Sequence, residues 1–254
     1  MARRATAIAA ERAKGEVLLL DAGNSIFGTY TGNPHGKAAV AAMNALKYDA
    51  MTIGDDDLVV GLDLLRQRMS EANFPFLSAN VVDTSTNQLI GKPYIIKQIA
   101  GVKVGILGLT RQATAPLATP TGAASPQSSF IITDPLEAAK KYLPELQKQA
   151  DYIILLSSLG SSGDKQIIKD LPEIAIIVGG HSRTSVYPPE KLLDTNIYRV
   201  EAGQQGEKLG YLKIEMNPGQ SATLIDAHAI DLDATIKDDP DLKKLVDNFK
   251  QQPG

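Results

Sequence analysis

The sequence contains no cysteine, no tryptophan and only three histidines, which are His35, His181 and His228. The absence of cysteine excludes disulfides, thiolate metal sites and thiol catalysis. It does not fix the compartment, because a cysteine-free chain tolerates either redox environment. With three histidines, the chain also has little material for a metal site built mainly on imidazole.

Long hydrophobic runs and an excess of positive charge are missing as well. No apolar run approaches the roughly 20 residues of a membrane span, and charges interrupt the first residues before a signal-peptide core can form. Lysine and arginine number 26 against 29 aspartates and glutamates, which gives a net charge of −3. A general nucleic-acid binder would carry a basic excess. We therefore expect neither a membrane span nor nucleic-acid binding.

What the chain does contain suits one larger folded domain. Its 254 residues are 43% hydrophobic, enough for a sizeable core. Short apolar runs alternate with amphipathic stretches, a pattern that indicates an α/β domain. We find no internal repeat and no interdomain linker, so the prediction is a single domain over residues 1–254. Residues 111–129, rich in Ala, Thr, Pro and Ser, predict a surface loop.

Four small, polar loops follow predicted strands. They read DAGN (21–24), GDDD (54–57), SSLG (157–160) and GGHSR (179–183). Ligands of α/β folds bind at the carboxyl ends of the strands. Each loop alone is a weak signal, but the four in this order predict a common site.

With these loops, the sequence resembles the calcineurin-like metallophosphoesterases, specifically the catalytic domain of the 5′-nucleotidase branch. The matching segments include ARRAT (2–6), LLLDAG (18–23), YDAMTIG (48–54) and IVGGHSRT (177–184). The resemblance implies a four-layer α/β/β/α sandwich that holds two divalent metals and a bridging hydroxide for attack on a phosphoryl group. The family's D-x-H motif lies on a first strand before the ARRAT helix, so we expect the fold without that strand.

The family's metal-binding positions can be carried over one by one, and most of them hold different residues here. They fall at Asn24, Asp55, Ser158, His181 and Arg183. Only His181 matches the family. The histidine that stabilises the transition state is replaced by Asp56, and its acidic partner falls at Val59. The resemblance therefore implies a degenerate site without catalytic residues, bound metal or other cofactor.

The favoured hypothesis is a catalytically silent domain that acts as a binding or assembly subunit with another protein chain. The alternative is a divergent metal-dependent phosphoesterase, with two Mn, Zn or Fe ions and its D-x-H motif upstream of residue 1. A third hypothesis is a regulator that binds a nucleotide weakly without turnover. By resemblance alone, we expect a periplasmic or extracellular location.

Several residues have competing interpretations. The run Asp55–Asp57 is either a new site for a hard metal or a solvated loop that caps a helix near Leu58. Arg183 either contacts a phosphate or, as we favour, forms an ion pair with Asp55 or Asp56. His35 is expected to be solvated, and His228 is expected to be an ordinary surface or hydrogen-bonded residue.

Overall fold

A computed structural model describes residues 1–27, 36–112, 129–193, 195–217 and 219–250. The helices of these ranges are α1 Ala2–Arg12, α2 Lys37–Ala45, α3 Leu62–Glu71, α4 Pro135–Gln147, α5 Gly160–Ile167 and α6 Pro240–Lys250. The strands are β1 Leu20–Asp21, β2 Ala50–Thr52, β3 Phe76–Leu77, β4 Val81–Asp83, β5 Gln88–Leu89, β6 Tyr94–Ile99, β7 Val102–Thr110, β8 Phe130–Ile132, β9 Tyr152–Ser158, β10 Ile176–Gly179, β11 Ser185–Lys191, β12 Tyr198–Ala202, β13 Lys208–Glu215 and β14 Thr223–Asp231.

Two sheets packed face to face form the centre of the fold. The first is parallel with the order β1-β2-β3, and the second has the order β11-β12-β10-β9-β7-β6. Apolar side chains such as Leu77, Ile106 and Leu156 fill the space between them. Helices α1, α2, α3 and α6 cover the outer face of the first sheet, and α4 and α5 cover that of the second. The predicted four-layer α/β/β/α architecture is confirmed.

Local sequence explains the central elements. All seven residues of β9 are buried, as a continuous apolar strand in the middle of a covered sheet requires. The N-terminus of α4 is capped by Asp134, whose Oδ1 accepts the N–H groups of Leu136 at 2.8 Å and Glu137 at 3.0 Å. Pro135 occupies the first turn, where its missing N–H costs nothing. The parallel strands β7, β9 and β10 end at the same edge of their sheet, as β1 and β2 do in theirs.

Beside the two central sheets, the described residues form two smaller ones, β5-β4-β8 and the hairpin β13-β14. Helix α5 begins at Gly160, the last residue of the predicted polar loop SSLG (157–160). Within the described ranges, no helix combines the length and apolarity needed to cross a membrane. The interpretation of His35, and most of the loop predicted over 111–129, fall outside the described residues.

Candidate functional site

All four polar loops lie at the carboxyl edge of the two sheets, and Gly160 of the loop after β9 lies beside His181 and Ser182. The three loops that follow β1, β2 and β10 approach so closely that glycine is required at the contacts. A Cβ atom added at Gly54 would lie 1.8 Å from Asn24 Oδ1, and one at Gly180 would lie 2.8 Å from the carbonyl oxygen of Ala22. The predicted common site is therefore a compact junction of main chains.

Asp55 lies at the centre of this junction and is only 2% exposed. Its Oδ1 accepts a hydrogen bond from Asn24 Nδ2 at 3.0 Å and lies 3.2 Å from His181 Nδ1. Its Oδ2 accepts from Arg111 Nη2 at 2.7 Å and Nε at 3.2 Å. Burial alone would raise the pKa of Asp55, but the hydrogen bonds from His181, Asn24 and Arg111 hold it well below its ordinary value. Asp55 is an ionised, fully bonded carboxylate.

Asp57 fixes two of the loops to each other. Its carboxylate accepts the backbone N–H groups of Asn24 at 2.8 Å, Gly54 at 3.0 Å and Ile26 at 3.4 Å. Burial raises the pKa of Asp57 to about 7, although these backbone hydrogen bonds oppose the shift. Asp55 and Asp57 are both buried. The expectation of a solvated loop is wrong, because Asp57 accepts main-chain donors inside the fold.

Arg183 does not make the ion pair expected of it. Its side chain is exposed, and it forms no salt bridge with Asp55, Asp56 or any other carboxylate of the described residues. The backbone explains this result, because His181 (φ 72°) and Arg183 (φ 60°) both adopt the left-handed conformation. That turn brings the imidazole to Asp55 and leaves the guanidinium in solvent. Arg111 pairs with Asp55 instead.

The remaining sequence-derived positions have distinct environments. Ser158 is fully buried at the end of β9, and its hydroxyl makes no hydrogen bond to the residues described. Asp56 is partly exposed, and its N–H donates to Asn24 Oδ1 at 2.9 Å. Val59 is half-buried after the 3₁₀ turn Asp56–Leu58. His228 lies half-exposed on β14, as expected of a surface residue.

Arg111 is the residue of this site that sequence reasoning missed. A signal was available, since Arg111 directly follows β7, and Thr110 at the end of β7 pairs with Ser158 on β9. Parallel neighbours end at the same edge of a sheet, so a charged residue after β7 belongs with the four loops.

The donor set does not fit the two-metal centre expected of the family that the sequence resembles. The oxygens of Asp55 are engaged by three partners, Asn24 uses both amide atoms on the neighbouring loop, and Ser158 offers a neutral hydroxyl. Within the described residues, no group of three or more His, Asp or Glu side chains is arranged to hold a metal ion. A hard-metal site on Asp55–Asp57 fails the same test, because Asp57 is directed at main-chain N–H groups.

Comparisons with known proteins agree with the fold. The chain is 31% identical to human 5′-nucleotidase over 262 residues, which cover 94% of this chain and 45% of that protein. The structure of a 5′-nucleotidase precursor from Thermus thermophilus matches 98% of the chain and 52% of its own, with 26% identity and a TM-score of 0.86. A calcineurin-like phosphoesterase from Bacillus subtilis matches 99% of the chain and 88% of its own, with 25% identity and a TM-score of 0.76.

The matches cover nearly all of this chain but only part of its relatives. The chain spans about half the length of the curated relatives that it matches (45% for the human enzyme). No family model matches it.

Proposed function

Because the chain belongs to the calcineurin-like phosphoesterase superfamily, in its 5′-nucleotidase branch, we propose that it is a catalytically silent member that acts by binding another protein. The observation that carries the proposal is the closed network on Asp55, in which Asn24, His181 and Arg111 take the positions around the carboxylate. A guanidinium bound to this carboxylate repels a second cation and occupies one of its oxygens. The alternative, a divergent metal-dependent phosphoesterase, needs those oxygens for metal.

Metal uptake and hydrolysis test the silent site. The purified chain is incubated with excess Mn²⁺ or Zn²⁺ and desalted, and its metal content is then measured. Its hydrolysis of AMP and p-nitrophenyl phosphate is compared with that of an active 5′-nucleotidase. We expect far less than one metal per chain and no turnover above buffer. A His181→Ala variant is the matched control, and its metal content should equal that of the parent. About two metals per chain with turnover, both reduced in the variant, would establish the alternative.

The free edge of the first sheet supports the binding role. Among the described strands, β1 pairs only with β2 and lies at the edge of its sheet. Leu18 and Leu20 beside this edge are partly buried in the apolar layer between the sheets, as are Leu212 and Ile214 of the β13-β14 hairpin. An unpaired edge next to apolar side chains is a template for an added strand. We propose that a protein partner binds at this edge of β1, in the periplasm or outside the cell.

Complex formation tests this part. The tagged chain, expressed in its source cells, is purified and weighed by native mass spectrometry beside a Leu20→Lys variant whose folding is checked by circular dichroism. We expect a partner of fixed stoichiometry with the parent and none with the variant. A monomeric parent would remove the binding role while leaving the silent site untouched.

A further inference from the structure

A second cluster of charges is buried away from Asp55. Asp164 on α5 and the alternating residues Arg199 and Glu201 on β12 are each at most 2% exposed. Arg199 Nε donates to Asp164 Oδ2 at 2.6 Å, and Nη2 donates to Glu201 Oε2. Two carboxylates thus share one guanidinium, and Glu201 Oε1 is buried without a hydrogen-bond partner among the described residues. When all three side chains are ionised, the triad carries a net charge of −1.

The triad is bonded to the loop that follows β10. Arg199 Nη2 also donates to Ser182 Oγ at 3.1 Å, and the same oxygen accepts the backbone N–H of Ser161 at 2.8 Å. Ser182 lies between His181 and Arg183, so it anchors the loop 180–183 to α5 and β12. On the other side, Ser157 Oγ of β9 donates to Asp164 Oδ1 at 2.5 Å.

No second cation of the described residues offsets the surplus charge. Lys165, next to Asp164 on α5, pairs with Glu190 of β11 at 2.6 Å. His181 is directed at Asp55, and Arg183 is exposed. From β10, Gly179 presents only main chain, and a Cβ there would lie 3.1 Å from both Arg199 Nη2 and Asp164 Oδ2.

We propose that the triad is a proton-operated latch on the loop 180–183. With one proton bound, its charges balance and the loop is held through Ser182. Without that proton, a surplus negative charge stays buried, and opening the loop to hydrate the carboxylates costs less. The latch does not depend on the proposed function.

The environment of Asp164 determines whether the loop closes at low or at high pH. Burial raises the pKa of Asp164 from 3.8 to about 6, and the charge of Glu201 adds to this, against the hydrogen bonds from Ser157 and Arg199. A carboxyl whose pKa is raised in the closed state contributes stability that is fully present below its ordinary pKa and lost as the pH rises through about 6. The closed loop should therefore be favoured by about 10-fold at pH 5 over pH 7.5.

Hydrogen exchange at the Ser161 amide measures the latch directly, because this N–H donates to Ser182. Exchange rates of the full chain at pH 5 and pH 7.5, corrected for intrinsic rates, give the opening equilibrium. We expect opening to be about 10-fold less frequent at pH 5 in the parent. In Glu201→Gln, which removes the added charge of Glu201 but leaves Asp164 buried, the pH dependence should be smaller than in the parent.

Two further variants complete the test. Asp164→Asn removes the carboxyl whose pKa is raised and should abolish the pH dependence, and the smaller dependence in Glu201→Gln carries the test if Asp164→Asn does not fold. Ser182→Ala removes the link and should leave the Ser161 amide unprotected at both pH values. Equal protection of the parent at both values would overturn the proposal. A pH effect that persists in the folded Asp164→Asn variant, or that is as large in Glu201→Gln as in the parent, would do so too, since groups outside the triad would then set it.

Discussion

Asp55 depends on its hydrogen-bond donors, because a buried carboxylate without them is costly. Its three partners come from the ends of β1, β7 and β10, so one ionised group holds together loops that are far apart in sequence. Arg111 is partly exposed, whereas the Asp55 side chain is only 3% exposed. Breaking the pair therefore costs more free energy at the buried carboxylate than at the partly exposed guanidinium.

An Arg111→Ala substitution should lower the free energy of unfolding by about 1–3 kcal/mol, since it removes a charged donor from a buried acceptor that keeps two other partners. Urea denaturation at pH 7 measures this. Arg183→Ala is the matched control, because the Arg183 side chain is exposed, and its effect should stay within about 0.5 kcal/mol. Equal losses in both variants would show that Arg111 is not the stabilising partner.

The limit of sequence reasoning at this scale is visible in the two arginines. The resemblance placed Arg183 at a ligand position, and its charge suggested a pair with the Asp55 loop. Which cation reaches Asp55 depends on the left-handed turn at His181 and Arg183, and a lone sequence does not specify those angles. Asp57 was misjudged for a similar reason, because its partners are backbone N–H groups from two separate loops.

Among the elements, α4 offers a clean test of capping. Asp134→Ala removes the acceptor for two N–H groups at the start of the helix and should cost about 1 kcal/mol. Asp134→Asn keeps a capping oxygen and should retain most of that stability. Thermal unfolding followed by circular dichroism distinguishes the two variants. A similar melting temperature for Asp134→Ala and the parent would argue against the cap.

Strand β9 and helix α4 have the continuous or periodic apolar pattern typical of their type, whereas β11 does not. Strand β11 contains Pro188 and Pro189, which lack the N–H groups of a strand interior. The fold accommodates them because β11 is an edge strand, with an irregular register between Val186 and Glu190. Its position at the edge is a property of the assembled sheet, which the local sequence does not reveal.

For the whole molecule, the contact between the two sheets limits side-chain size. A Cβ added at Gly108 on β7 would lie 2.4 Å from the Cβ of Leu77 on β3. Gly108→Ala should therefore push the sheets apart and cost about 1–3 kcal/mol. Gly15→Ala is the control, because nothing lies within 4 Å of a Cβ there. Chemical denaturation of both variants checks the prediction, and a Gly108→Ala variant as stable as the control would contradict it.

The role of Asn24 affects the evolutionary reversibility of this site. Its amide nitrogen donates to Asp55 at 3.0 Å, and its amide oxygen accepts from the N–H of Asp56. The position therefore requires a side chain that is both a donor and an acceptor. An Asn24→Asp change would replace the donor by a second negative charge beside a buried carboxylate and would thus weaken the protein. In the silent site that we propose, selection for folding stability would therefore oppose this change.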